Sequence, residues 1–160
     1  MKRETTFIDL FAGCGGLSLG LMAAGWKGLF GVECHPEAFK TLSHNLLDAS
    51  TSHERNGYQW PAWLEKQAWF VSELIDKHKT QLDGLRGHVD AIVGGPPCQG
   101  FSMAGKRQQD DVRNQLYREY LRLVGIIRPR IVLLQNVKGI TTGFSAGSKR
   151  KKPTSAQILD

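Results

Sequence analysis

The sequence predicts an α/β fold, a doubly wound and mostly parallel sheet with helices between its strands. Short apolar runs typical of buried strands alternate along the chain with segments of helical periodicity, and glycine-rich turns follow the strands. Strands that alternate with helices form parallel pairs joined by right-handed crossovers. The chain has 160 residues, 41% of them hydrophobic, which is enough to bury one sizeable core.

Two strand and helix pairs open the chain. "FIDLF", residues 7–11, predicts a strand that ends at the turn "AGCGG", and "LSLGLMAAGW" then predicts a helix with Gly25 as its stop. "GLFGVE" predicts the second strand. "PEAFKTLSHNLL" predicts a helix with Pro36 in its first turn, where the missing amide hydrogen costs little.

Residues 48–70 lack this pattern and are interpreted as an insertion. We expect its tryptophans to pack it onto the body of the protein rather than to bind bases. "SELIDKHKTQLDGLRG" then predicts one amphipathic helix ending at Gly87, with His78 on its apolar face and not a ligand.

The remaining elements repeat the alternation. "DAIVGG" predicts a strand, "RNQLYREYLRLVGII" a helix, and "RIVLLQNV" a further strand. The near-continuous apolar character of this last strand predicts burial on both faces.

Composition excludes several classes of protein. No apolar run approaches the roughly 20 residues that span a bilayer, and "MKRETTFIDLF" lacks the features of a secretory signal. We therefore expect an intracellular protein with no membrane partner. The three cysteines form no C-x-x-C pair and have no histidine at metal-ligand spacing, so neither a metal site nor a disulfide framework is predicted.

The net charge of +6 is concentrated near the carboxyl terminus, where residues 149–152 supply four charges and leave +2 for the rest. Such a run either contacts phosphates or is a solvated segment.

The turn "FAGCGG" is a candidate cofactor site. Gly13, Gly15 and Gly16 allow a tight turn and close approach of a ligand, and Glu33 lies 20 residues after Gly13, where an acid can bind ribose hydroxyls. These features favour an adenosine-containing cofactor. S-adenosylmethionine is favoured over NAD because Ser18 occupies the last place of G-x-G-x-x-G. The alternative that this glycine turn binds no ligand is left open.

Four stretches resemble, in order and spacing, the first half of a DNA (cytosine-5) methyltransferase: "FIDLFAGCGGLSLGL", "GVECHPEAFKTLSHN", "DAIVGGPPCQGFS" and "RPRIVLLQNVKGI". The resemblance implies a Rossmann-like fold that binds S-adenosyl-L-methionine. It also implies a cofactor pocket formed by Phe11, Gly13, Leu17, Glu33, Cys34, Gly95, Pro97 and Leu116.

The resemblance assigns Cys98 as the nucleophile. Carbon 5 of cytosine is a poor nucleophile, so the family's cysteine adds to carbon 6 and makes carbon 5 able to accept a methyl group. The partner implied is double-stranded DNA with a flipped cytosine. "QGFSMAGKRQQDD" is expected either to close over that base or to be an ordinary connection, and its candidate DNA contacts are Gln99, Ser102, Lys106 and Arg107.

The chain departs from the family's pattern at Gln135. The family has Glu-Asn-Val there, and its glutamate holds the flipped base and protonates ring nitrogen 3, whereas this chain has Gln135-Asn136-Val137. A glutamine can hold the base but has no proton to give. We expect cytosine binding to be retained and turnover to be weakened or abolished.

A second departure concerns adenine. The family usually carries an aspartate at the end of its third strand, where this chain has Phe70 or its neighbours, with Ser72 and Glu73 as the nearest polar substitutes.

A third departure is the extent of the chain. We expect residues 1–160 to be a partial catalytic domain, with 145–160 a basic tail or the start of a missing segment and no target-recognition domain. With five strands expected, the strand ending at Gln135 would lie near an unprotected edge. Three explanations of this extent are open: a truncation, a split enzyme completed by a second chain, or a decayed gene. A non-catalytic binding module or regulatory subunit is the alternative function, and an NAD-dependent oxidoreductase would leave "PPCQ" unexplained.

Overall fold

A computed structural model describes residues 4–48, 57–96 and 113–135 of the chain. These residues form four strands and five helices in alternating order: β1 (Thr6–Leu10), α1 (Gly16–Ala23), β2 (Lys27–Val32), α2 (Pro36–Leu46), α3 (Val71–Lys77), α4 (Lys79–Gly84), β3 (Ala91–Gly94), α5 (Arg113–Ile127) and β4 (Ile131–Leu134).

The strands form one parallel sheet in the order β2-β1-β3-β4. β1 pairs with both β2 and β3, so Leu10 lies between Val32 on one side and Gly94 on the other. The carboxyl ends of these three strands therefore meet at one edge of the sheet. The predicted α/β class and parallel sheet are confirmed.

Side chains that alternate along β1 enter two separate cores. Ile8 and Leu10 belong to a core completed by α3, α4 and α5. Phe7 belongs to the core on the other face, which contains Met22 of α1 and Leu42 of α2. Because successive strand residues point to opposite faces, helices cover both faces of the sheet, as the doubly wound architecture requires.

The segment before α3 packs onto the sheet through its aromatic rings. Trp60 and Trp63 meet the buried ring of Phe30 edge-on, with centroids 6.2 and 5.9 Å away. The amide of Trp69 donates a 2.9 Å hydrogen bond to the Glu33 carbonyl at the end of β2. The expectation that the tryptophans pack this segment onto the body is confirmed.

The single helix expected over residues 72–87 is wrong, because the chain leaves helical geometry at His78 (φ −118°, ψ 27°) between α3 and α4. The buried imidazole packs between the rings of Trp63 and Trp69, 5.3 and 5.5 Å away, and its Nε2 lies 3.1 Å from Glu65 Oε2. Tertiary packing of this one side chain overrides the helical periodicity.

Two expectations about strands are also corrected. Phe70 immediately precedes α3 as its N-cap, so the structure describes four strands and not five. The expected burial of the last strand on both faces is wrong, since Ile131, Val132 and Leu133 are each 46% exposed. The reason is position: within the described residues β4 pairs with β3 alone and forms the edge of the sheet, as expected for the strand that ends at Gln135. No helix in the described part of the chain is long and apolar enough to cross a membrane.

Candidate functional site

The turn after β1 is held in conformations that glycine favours. Gly13 and Gly15 have φ of 55° and 89°, and the Ala12 amide donates a 3.0 Å hydrogen bond to the Val32 carbonyl at the end of β2. Phe11 also has a positive φ, 59°, which is strained for a side chain with a Cβ. Such strain persists only where the surroundings impose it, and it concentrates at functional sites.

Glu33 joins this turn to the end of β2. Its Oε2 accepts a 2.9 Å hydrogen bond from the Gly13 amide, and its Oε1 accepts one of 2.8 Å from the His35 amide. The structure therefore brings together the glycine turn and the acid that the sequence pairs at a spacing of 20 residues. Each carboxylate oxygen has a further lone pair that can accept a hydrogen bond from a hydroxyl group.

A hollow opens beside Glu33, between the ends of β1 and β2 and the helix α5. It holds about 300 Å³ of empty space, including its mouth to solvent. Its lining is mainly apolar and aromatic and consists of Phe11, Val32, Cys34, Trp69, Phe70, Val71, Ser72, Leu116 and Glu119. Mostly apolar walls with a few polar groups are typical of cofactor sites.

Three of the predicted pocket residues, Phe11, Cys34 and Leu116, line this hollow. The predicted pocket residues Gly13, Glu33 and Gly95 are not part of this lining, although Val32 and Cys34, on either side of Glu33, are. Leu17 instead packs against the core of α1 and α2, so its assignment to the cofactor stays a prediction.

Sequence reasoning missed a buried polar network beneath the glycine turn. Ser18 Oγ donates to Asp9 Oδ2 and shares a second hydrogen bond with the Tyr58 hydroxyl, both 2.5 Å long. Burial, opposed in part by the Ser18 hydrogen bonds, raises the pKa of Asp9 to about 6. Burial and the nearby Asp9 carboxylate also raise the pKa of Tyr58. The one sequence feature that pointed to this network was Asp9, a charged residue inside the apolar run "FIDLF".

Glycines of β2 make room for this network. A Cβ on Gly31 would lie 2.5 Å from the Tyr58 hydroxyl oxygen, and one on Gly28 would lie 2.6 Å from its ring. Tyr58 therefore lies across the face of β2, where it closes the network over Asp9.

The two described cysteines, Cys14 and Cys34, are exposed and free. Desolvation and the negative charge of Glu33 raise the pKa of the Cys34 thiol. This thiol stays protonated near neutral pH and is a poor nucleophile. The described residues contain no cluster of side chains able to hold a metal ion.

The ends of β3 and β4 bring Gln135 beside the residues that precede the predicted nucleophile. The Gln135 amide donates a 2.8 Å hydrogen bond to the Gly94 carbonyl. Its side-chain Oε1 lies 3.2 Å from the position that a Cβ on Gly95 would take. The remaining predicted site residues lie outside the described residues: Pro97, Cys98, Gln99, Ser102, Lys106 and Arg107.

The model of the family described as C-5 cytosine-specific DNA methylase matches residues 5–60 and 63–152 of this chain. The chain belongs to this family. Its matched region contains both the glycine turn at the hollow and Gln135 at the end of β4.

Individual methyltransferases are also similar to this chain in sequence. The chain is 38% identical to the type II methyltransferase M.AgeI of Thalassovita gelatinovora over 135 residues, 83% of this chain and 28% of the relative. It is 35% identical to M1.HphI of Haemophilus parahaemolyticus, over 93% of this chain and 36% of the relative. It therefore spans about a third of the length of these methylases.

The fold agrees as well. A solved DNA modification methyltransferase encoded within an E. coli prophage superimposes with a TM-score of 0.63 at 35% identity, covering 90% of this chain and 35% of that one.

Proposed function

We propose that this chain is the amino-terminal catalytic part of an enzyme that methylates carbon 5 of cytosine in DNA. The observation that carries the proposal is the meeting of two sites at one edge of the sheet. The hollow beside Glu33 lies at the ends of β1 and β2, and Gln135 lies at the ends of β3 and β4. A cofactor and a base held at neighbouring strand ends would lie side by side.

We propose S-adenosyl-L-methionine as the cofactor that binds at the hollow. Glu33 has free acceptor sites for the ribose hydroxyls, and the strained Phe11 presents an aromatic surface in the lining. When bound, this cofactor supplies an electrophilic methyl group. The residues of this chain orient it and exclude water around it.

Cys98 follows Gly95 by three residues in the sequence and lies outside the described residues, so its role is proposed from the sequence. We assign it the attack on carbon 6 of a flipped cytosine, which forms a carbon–sulfur bond and makes carbon 5 nucleophilic. After methylation, carbon 5 loses its proton and the carbon–sulfur bond breaks, which frees the thiolate. Gln99, Ser102, Lys106 and Arg107 are proposed DNA contacts.

Gln135 limits this chemistry. Its carboxamide can donate to ring nitrogen 3 of cytosine and accept from the exocyclic amine, but it cannot transfer a proton. General acid help is typically worth ~10²- to 10⁴-fold. The lack of a proton donor at residue 135 also favours a second candidate function. In this alternative the chain is a non-catalytic module that binds DNA or a partner inside the cell and does not methylate.

We further propose that another protein segment covers β4, either from elsewhere in the same protein or from a second chain. Three consecutive apolar residues, each 46% exposed, make this strand unusual for a parallel sheet, whose strands are normally covered on both faces.

Two measurements test the proposed function. Calorimetry should detect binding of S-adenosylmethionine and not of NAD. DNA containing 5-fluorocytosine should form a covalent adduct with the full-length protein, and Cys98→Ala should abolish it. Binding of the cofactor without any adduct would favour the non-catalytic module, and absence of cofactor binding would contradict the enzyme.

A further inference from the structure

One wall of the hollow carries a carboxylate, Glu119, that is not among the predicted cofactor residues. Glu119 lies on α5, one turn after Leu116, and both side chains line the hollow. The Glu119 side chain is 26% exposed, yet its Oε2 is buried without a hydrogen-bond partner. An unsatisfied buried acceptor is costly, so its retention calls for an explanation.

The nearest cation does not satisfy this oxygen. Arg122 Nη1 lies 3.6 Å from Glu119 Oε2, which is too long for a hydrogen bond. The guanidinium is instead engaged by Asp76, whose Oδ1 accepts a 2.8 Å hydrogen bond from Nη2. Glu119 therefore lines the hollow with a carboxylate that is ion-paired to Arg122 and has one oxygen without a hydrogen bond.

The residues around the start of α3 supply a hydroxyl and an exposed ring to the lining. Ser72 lines the hollow from α3, and the neighbouring Phe70 also lines it while remaining 52% exposed. A hydroxyl can donate or accept, and an exposed aromatic face can stack on a flat heterocycle. The hollow thus offers one anionic acceptor, one adaptable hydroxyl and one stacking surface.

We propose that Glu119 and Ser72 read the edge of the adenine ring of the cofactor, with Phe70 stacked on the ring. This inference rests on the proposed function, because it concerns the same cofactor. The 6-amino group of adenine donates to the Glu119 carboxylate, and the Ser72 hydroxyl donates to ring nitrogen 1. A glutamate on α5 thereby does the work of the aspartate that this chain lacks near Phe70.

The test compares two ligands that differ at one position. S-adenosylhomocysteine carries the 6-amino donor, whereas S-inosylhomocysteine carries a carbonyl oxygen there, which would face the Glu119 carboxylate. A hydrogen bond to a charged group is worth roughly 10- to 100-fold in affinity, so calorimetry should show the chain preferring the adenosine compound by at least about tenfold. Ser72→Ala should weaken adenosine binding a few-fold.

Glu119→Gln should reduce that preference to about threefold or less, because a carboxamide can present either its oxygen or its amine. Glu37→Gln is the control, since Glu37 lies in the first turn of α2, is exposed and is outside the lining. It should keep the full preference, and circular dichroism should show both variants folded.

The outcomes separate the two proposals. If the chain binds both compounds equally, or if Glu119→Gln keeps the full preference, the adenine assignment is overturned while the cofactor proposal stands. If the chain binds neither compound, the cofactor proposal fails and the adenine assignment fails with it.

Discussion

The backbone amide of Gln135 donates a 2.8 Å hydrogen bond to the carbonyl of Gly94, and this contact joins the ends of β4 and β3. Gly94 is itself constrained, with φ of 152° and no space for a side chain. The position of the proposed base-holding residue therefore depends on a backbone conformation that only glycine adopts readily.

Replacing this glycine should be severely destabilising. In Gly94→Ala the new Cβ would lie 2.0 Å from the Leu10 carbonyl oxygen, a backbone atom that cannot move without breaking the β1–β3 pairing. We expect a loss of about 3 kcal/mol or more in the free energy of unfolding, measured in urea. Gly125→Ala in α5 is the control, because its Cβ meets nothing within 4 Å and should be neutral or stabilising. Equal stability of the two variants would contradict the geometry.

Restoring a proton donor at the end of β4 should accelerate chemistry. We expect Gln135→Glu to raise the rate at which the full-length protein forms an adduct with 5-fluorocytosine DNA by ~10²- to 10⁴-fold. Gln115→Glu introduces the same charge at an exposed position of α5 and should have no such effect. An unchanged rate for Gln135→Glu would show that the carboxamide is not the limiting defect.

Ionisation of Asp9 should lower stability as the pH rises. Because its folded pKa is raised to about 6 from 3.8, the folded state binds the proton more tightly than the unfolded state does. The resulting stability is present below pH 3.8 and is lost as the pH rises through about 6. Relative to Asp9→Asn, wild type should lose about 2 kcal/mol in free energy of unfolding between pH 4.5 and 7.5.

Asp83→Asn, at an exposed carboxylate that pairs with Lys79, is the control for this titration and should not remove the pH dependence. Parallel pH profiles for wild type and Asp9→Asn would show that burial does not shift Asp9.

The exposed edge of the sheet should make the chain self-associate. Val132→Lys places a charge on β4, where it should reduce concentration-dependent association measured by sedimentation. Leu19→Lys makes the same kind of change at a residue of α1 that is 51% exposed and should have a smaller effect. If the two variants associate equally, general surface hydrophobicity and not the strand edge drives the association.

Local patterns were sufficient to predict most of the elements. The alternation of strands and helices, the glycine turn and the pairing of Gly13 with Glu33 were predictable because each depends on residues close in sequence or on a recurrent connection between adjacent strands. The break at His78 was not, because two tryptophans and a glutamate outside that helix decide it.

The amino-acid sequence by itself determined the fold class, the family and the order of the strands along the chain. Only the tertiary structure decided that Tyr58 and Ser18 enclose Asp9, that Glu119 lines the hollow with one oxygen lacking a hydrogen bond, and that the apolar residues of β4 are exposed rather than buried on both faces. The physical reason is that periodicity records which face of an element is apolar. Burial, pKa and unsatisfied hydrogen bonds depend on which distant residues pack against that face.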